Sequence, residues 1–155
     1  MDFNIVAAVV AGVVATVVMT IVMYMGKAMM PQQMPMNILH MLGTMMTRST
    51  GPAYMMGAMM HGVMGVIFAL VHVALFVAFG LEALVAWGIL FGVVHWVIAG
   101  MGMGMMGTMH PVVRSGEMMA PGPFVKNLPM MNVMGFLMVH VIYGLVVGGL
   151  YQALA

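Results

Sequence analysis

The scarcity of charge is the feature that most limits what this chain can fold into. Its 155 residues include only four basic and three acidic side chains, and 65% of them are hydrophobic. A soluble domain of this size carries roughly a quarter charged residues to cover its surface. The sequence therefore predicts an integral membrane protein in contact with a lipid bilayer. Its net charge of +1 also excludes the strongly basic surface that nucleic-acid binding requires.

Four long apolar runs divide the chain, at about residues 4–30, 52–79, 83–106 and 130–154. A helix needs ~20 apolar residues to cross the hydrocarbon core, and within lipid every backbone amide must be bonded inside its own segment. We therefore predict an all-α, integral membrane four-helix bundle that forms a single domain over residues 1–155. No positive residues precede the first run, which favours an uncleaved helix over a signal peptide.

The connections between the runs differ in length and charge. Residues 36–46 show helical spacing of apolar residues but are too short to span, which predicts a short interfacial helix between helices 1 and 2. Residues 80–82 form a tight turn, whereas residues 110–129 form the longest loop. All four basic residues lie on the side of the two long connections. The positive-inside rule therefore predicts that these connections are cytoplasmic and that both termini are outside.

Methionine is the most unusual component, since the chain has 27 methionines and no cysteine. When the four runs are placed antiparallel, every methionine except the initiator falls on the side of the long connections. An adaptable core filler should be scattered through both halves of the membrane, so a one-sided layer indicates a function. The thioether is a soft ligand that selects Cu(I), or Ag(I), over hard cations.

Methionines four residues apart place two sulfurs on one face of a helix. This Met-x-x-x-Met pattern is similar to the copper-binding helix of the eukaryotic copper-uptake channels. Histidines adjoin two of the pairs. The full predicted set of Cu(I) ligands is Met19, Met23, Met56, Met60, His61, Met64, Met105, Met109, His110, Met134 and Met138.

The methionines do not share a single face of each helix. At about 100° per residue, Met25 and Met29 point away from the face that carries Met19 and Met23. Some sulfurs must therefore face lipid or another protein. Methionine-rich, repackable surfaces are also typical of binding faces. An accessory subunit of a larger membrane complex, or a homo-oligomer, without any metal is thus an alternative.

Histidines inside the apolar runs support a third hypothesis. His72, His95 and His140 lie where ionisable residues are rare and are functional candidates by default. His95 and His140 fall at similar depth, so they are candidate axial ligands for a haem or a pigment between facing helices. The alternative is a neutral imidazole that hydrogen-bonds across helices to a carbonyl or to a hydroxyl such as that of Tyr143.

The fourth apolar run, at residues 130–154, has two chemically different faces. His140, Gly144 and Tyr151 share one face, and Met131 and Met138 lie nearly opposite. If the histidine face points into the bundle, the two sulfurs point outward.

Nothing in the sequence indicates an active site for hydrolysis or group transfer, and we do not expect an enzyme. The three acids lie near the ends of the runs, so no intramembrane carboxylate is available to pair with a histidine. Gly88-x-x-x-Gly92 and Gly144-x-x-x-Gly148 predict closely packed helices, which favours a compact bundle over an ion-conducting pore.

Several short motifs are distributed over most of the chain: Ala-Gly-Val-Val-Ala-Thr-Val-Val-Met at 11–19, Pro-Met-Asn-Ile at 35–38, His61-x-x-x-Gly65, and His140-x-x-Tyr143-Gly144-x-x-x-Gly148-x-x-Tyr151. Together they resemble a family of small prokaryotic four-span proteins of unknown function. The resemblance implies a four-helix fold in the cytoplasmic (inner) membrane of a prokaryote, and it implies no activity.

Overall fold

The computed structural model describes residues 2–155, and these residues form an all-α fold without strands. The helices are α1 (Ile5–Met29), α2 (Ile38–Gly43), α3 (Thr50–Ala78), α4 (Leu84–Met109), α5 (Pro111–Arg114) and α6 (Met130–Leu154), with a 3₁₀ turn at Pro123–Val125. The helices α1, α3, α4 and α6 are long and apolar enough to cross a membrane. The predicted four-helix, multi-pass architecture is therefore confirmed, and the predicted bounds differ only at the helix ends.

The short helix after the first span is confirmed, but it is shorter than predicted. Asn37 caps its start, because the Asn37 Oδ1 accepts a hydrogen bond of 3.2 Å from the His40 amide. Thr44 ends it, since its hydroxyl donates back to the His40 carbonyl at 2.8 Å. A side chain that bonds to the backbone in this way competes with the continuing helix.

The segment predicted as one long loop contains two further helical pieces, α5 and the 3₁₀ turn. A proline at the first helical position favours the start of each. Two glycines of α4 make room for the 3₁₀ turn, because a Cβ on Gly100 would overlap the Phe124 ring and one on Gly104 would lie 3.0 Å from Pro123 Cγ. Both Phe124 and Val125 have φ of 54°, a conformation that is uncommon for side chains of this size.

Contacts group the chain into two compact units. Unit 1 comprises the residues up to Val22, Gly62–Trp96 and Leu137–Ala155, and unit 2 comprises Met23–His61 and Val97–Phe136. Each of the four long helices contributes one segment to each unit.

Unit 2 carries most of the sulfur and the positive charge. It contains every methionine except Met1, Met19, Met64 and Met138. It also contains the four basic residues Lys27, Arg48, Arg114 and Lys126. Of the 26 methionines that the sequence places on one side, 23 are thus in unit 2, and Met19, Met64 and Met138 are in unit 1.

In unit 1 the backbones of α4 and α6 touch. A Cβ on Gly88 would overlap the Gly144 carbonyl, one on Gly144 would overlap the Gly88 carbonyl, and one on Gly92 would overlap the His140 carbonyl. Only glycine permits this approach, so the packing predicted from the small-residue spacing is confirmed.

Two fully buried tyrosines of α6 supply hydrogen bonds within unit 1. The Tyr143 hydroxyl donates to the Gly65 carbonyl of α3. The Tyr151 hydroxyl accepts from the Asn4 amide at 2.9 Å and donates to the Asp2 carbonyl at 3.0 Å. These bonds satisfy hydroxyls that would otherwise be costly in an apolar core.

Candidate soft-metal site and histidine cluster

Unit 2 contains an apolar cavity of about 250 Å³. Four methionines and one histidine contribute to its wall, and they come from the α1–α2 connection, from α2 and from the loop before α6. The lining residues are Pro35, Met36, Asn37, His40, Met41, Met118, Met119, Pro121 and Leu128. Soft sulfur and nitrogen donors from distant parts of the sequence therefore surround one space.

The first wall of the cavity consists of Pro35, Met36, Asn37, His40 and Met41. Side chains of α1 and α6 hold it in place by hydrogen bonds. Lys27 Nζ donates to the Pro35 carbonyl at 2.7 Å. The Met36 amide donates to Asn132 Oδ1 at 3.1 Å, and Asn132 Nδ2 lies 3.8 Å from Met36 Sδ as a donor. Asn132 is 4% exposed, so one buried amide side chain positions both the backbone and the sulfur of Met36.

Asn37 positions α2 beside this wall. Its Oδ1 accepts from the Tyr24 hydroxyl at 2.6 Å as well as from the His40 amide, and its Nδ2 donates to the Tyr54 hydroxyl at 2.6 Å. The His40 ring packs against Tyr54 with centroids 5.4 Å apart. The cap thus places His40 and the neighbouring Met41 on the first turn of α2.

The second wall of the cavity consists of Met118, Met119, Pro121 and Leu128. His110 is fully buried and connects the segment before this wall to the first wall. Its Nδ1 accepts from the amides of Val112 and Val113 at 3.2 and 3.3 Å. The ring proton is therefore on Nε2, which donates to the Met41 carbonyl at 2.8 Å and lies 3.3 Å from the Thr44 hydroxyl. Since metal binding at His110 would cost these bonds, we leave this predicted ligand out of the site we propose.

An ion pair fastens the loop that carries Met118. Arg48 donates to Glu117 Oε1 at 2.7 Å, and the Ser115 hydroxyl donates to the same oxygen at 2.7 Å. The hydrogen bond from Ser115, followed by the bond and charge of Arg48, holds the pKa of Glu117 below its ordinary value. Glu117 therefore remains charged in neutral solution.

None of the ligands predicted from Met-x-x-x-Met spacing lines this cavity. Met19 is buried, Met23, Met56 and Met60 are half-buried, and the exposed members are Met64, Met105, Met109, Met134 and Met138. The spacing rule relates residues of a single helix, whereas the cavity methionines come from two separate parts of the chain, Met36 and Met41 just before α2 and within it, and Met118 and Met119 in the loop before α6. The signals that were available are the similarity of Pro35-Met36-Asn37 to Pro129-Met130-Met131-Asn132 and the adjacent methionines Met118 and Met119, which precede Pro121.

His61, the other predicted histidine ligand, differs from His110 because one of its ring nitrogens makes no hydrogen bond to the described residues. It lies next to Met60 on α3. Its Nε2 is buried and has no hydrogen-bond partner among residues 2–155. A buried polar atom of this kind is costly unless it gains a partner.

Three histidines and a tyrosine form a cluster in the core of unit 1. The His95 ring lies 4.8 Å from that of His140 and 6.0 Å from that of His72, in edge-to-face geometry. Tyr143 approaches His72 and His95 at 5.8 and 5.1 Å. His72 is 3% exposed, and its Nδ1 has no hydrogen-bond partner among the described residues.

Haem does not fit between His95 and His140. The two histidines lie side by side on α4 and α6, and their ring centroids are 4.8 Å apart, which leaves no space for a porphyrin. Phe68 stacks on His95 at 3.6 Å, and the Gly92 backbone is against the His140 carbonyl. We therefore derive no chemistry from a haem or a porphyrin-type pigment held by both histidines.

The two predicted faces of α6 are confirmed. His140 and Tyr151 are 5% and 0% exposed, whereas Met131 and Met138 are 44% and 57% exposed. The imidazole face is thus internal and the sulfur face is external.

No protein-family model, curated protein or solved structure matches this chain in the comparisons we made.

Proposed function

We propose that this protein is a non-enzymatic, multi-pass membrane protein that binds Cu(I) through methionine and histidine side chains of unit 2. The observation that carries the proposal is the gathering of nearly all methionines in one unit, four of them around a single cavity. In this role the protein stores the ion or hands it over, within a copper-enzyme complex or alone.

The chemistry of the donors supports this choice of ion. A thioether is neutral and needs no deprotonation, so it binds a soft cation inside apolar surroundings without a charged partner. Glu117 is the only acidic residue of unit 2, and it is already paired with Arg48. A hard cation would require several oxygen ligands, whereas the sulfur supply here is large.

We expect purified protein in detergent micelles to retain Cu(I) or Ag(I) through gel filtration under anaerobic conditions. Competition with a chromophoric Cu(I) chelator gives the affinity, and elemental analysis gives the stoichiometry. Mg²⁺ and Ca²⁺ serve as hard-cation controls that should pass through unbound. Protein that emerges free of copper and silver at micromolar concentrations would contradict the proposal.

We further propose that unit 2 is on the cytoplasmic side of a prokaryotic inner membrane, because it contains all four basic residues. The absence of native cysteine makes this easy to test. A single cysteine at Ser115 should be protected from a membrane-impermeant maleimide in intact cells, while one at Leu81 should be labelled. The opposite pattern would reverse the orientation and would make the site an acceptor of copper from outside.

An accessory subunit without metal is the second candidate, and the exposed methionines favour it. Met55, Met59, Met101 and Met105 are at least half exposed on this chain, and such surfaces pack readily against a neighbouring subunit. Co-purification from native membranes with a stoichiometric partner, in a sample free of copper by elemental analysis, would select this function over metal binding.

A further inference from the structure

We propose that the cavity of unit 2 is the principal site for a soft monovalent cation, with ligands drawn from Met36, Met41, Met118, Met119 and His40. This inference rests on the proposed function and assigns it to residues that are not in the ligand set predicted from the sequence. The ion it would take is Cu(I), for which Ag(I) is a redox-inert probe.

The size and lining of the cavity suit a single bound ion. Its volume of about 250 Å³ is roughly that of eight water molecules, so it has room for an ion and for the thioether groups that would turn in to bind it. Methionine has three rotatable side-chain bonds, which lets the sulfurs turn inward without movement of the backbone. Imidazole and thioether are both ligands that Cu(I) accepts.

The depth of the ligands indicates how an ion enters. Met36 and Met41 are 9% and 5% exposed, whereas Met119 is 61% exposed. Met118 is half-buried between these extremes. The exposed thioether can receive an ion from solvent and pass it to the buried pair, which then holds the ion away from solvent.

Asn132 is a positioning residue for this site. Its Nδ2 donates to Met36 Sδ at 3.8 Å, and its Oδ1 accepts from the Met36 amide at 3.1 Å. Hydrogen bonds to a ligand fix its orientation, and their loss costs about 10- to 100-fold in metal affinity. The sulfur keeps a second lone pair for the ion.

Hydrogen bonds and an ion pair hold the two walls of the cavity in place without a bound ion. His110 Nε2 donates to the Met41 carbonyl at 2.8 Å, and the Arg48–Glu117 ion pair holds the loop directly before Met118. A preformed site loses less entropy on binding than one that must be assembled. We therefore expect the cavity to bind a single ion with a smaller loss of entropy than sulfurs that are scattered over the helix surfaces.

The test compares two fourfold methionine-to-leucine variants of the full chain in detergent micelles. The cavity variant is M36L/M41L/M118L/M119L. The control variant, M25L/M55L/M101L/M131L, changes the same number of methionines at exposed positions of the same unit, and none of them belongs to the predicted ligand set. Leucine nearly conserves the volume of methionine. The double variant M118L/M119L, at half-buried and exposed positions, replaces the cavity variant if that protein does not fold.

We expect the cavity variant to lose affinity for the first equivalent of Ag(I) by about tenfold or more, while the control keeps the affinity of wild type. In wild-type protein with ¹³C-labelled methionine methyl groups, the first equivalent should shift the resonances of Met36, Met41, Met118 and Met119 before any others. An unchanged first affinity in the cavity variant, or equal losses in both variants, overturns the assignment and leaves the proposed function standing. Wild-type protein that binds neither Ag(I) nor Cu(I) refutes the proposed function itself.

Discussion

Replacement of Gly144 by alanine is expected to destabilise the protein by about 3 kcal/mol or more, a large part of the ~5–15 kcal/mol typical of a domain. The new Cβ would overlap the Gly88 carbonyl and lie 2.9 Å from Gly92 Cα. Both obstacles are backbone atoms of α4, so no side chain can turn aside to relieve them. The helices would have to separate, with loss of the packing that surrounds the contact.

Gly149→Ala is the matched control, because it makes the same change on the same helix. Its Cβ would lie 3.9 Å from Val85 Cγ2, which is an ordinary contact, and alanine favours a helix by roughly 1 kcal/mol over glycine. Unfolding of both variants in detergent micelles, followed by circular dichroism against temperature or denaturant, measures the difference. Equal midpoints for the two variants would show that α4 and α6 are not held backbone to backbone.

His110→Ala is expected to destabilise the protein by about 3 kcal/mol, since each buried group left without a partner costs ~1–3 kcal/mol. The change removes the donor to the Met41 carbonyl and the acceptor for the amides of Val112 and Val113. His110 is fully buried, so water cannot easily replace these bonds. The same unfolding measurement in micelles gives the loss.

His110→Asn should recover part of that stability, because asparagine is a preferred N-cap, but it should not restore the bond to Met41. His40→Ala is the control, as it removes a half-buried histidine from the same unit. A His110→Ala protein that is as stable as wild type but binds Cu(I) more weakly would contradict this structural role of His110. It would instead support the ligand role predicted from the adjacent Met109.

The architecture was predictable because membrane helices are determined by local properties. A run of about 20 apolar residues must form a helix in lipid to satisfy its own amides, whatever lies elsewhere in the chain. The two faces of α6 were predictable for the same reason, since the angle between His140 and Met138 depends only on helix geometry. The short helix α5 was missed because its start depends on the His110 ring as well as on Pro111.

The candidate site was not predictable to the same extent. Spacing of four residues identifies neighbours on one helix, and it therefore selected pairs such as Met134 and Met138, which the structure leaves exposed. Met36 and Met118 are 82 positions apart in the sequence, and no periodicity relates them. They line one cavity because hydrogen bonds and an ion pair between separate connections bring their segments together.

The sequence by itself determined that this is a helical, multi-pass membrane protein with soft donors concentrated on one side of its runs, because hydropathy and helix period are local quantities. Only the tertiary structure decided which sulfur and nitrogen donors line one cavity. It also decided that both ring nitrogens of His110 are engaged in hydrogen bonds, and that His95 and His140 lie too close together for a haem. Those outcomes depend on contacts between residues distant in the sequence, whose geometry is set by packing and by the pairing of buried polar groups.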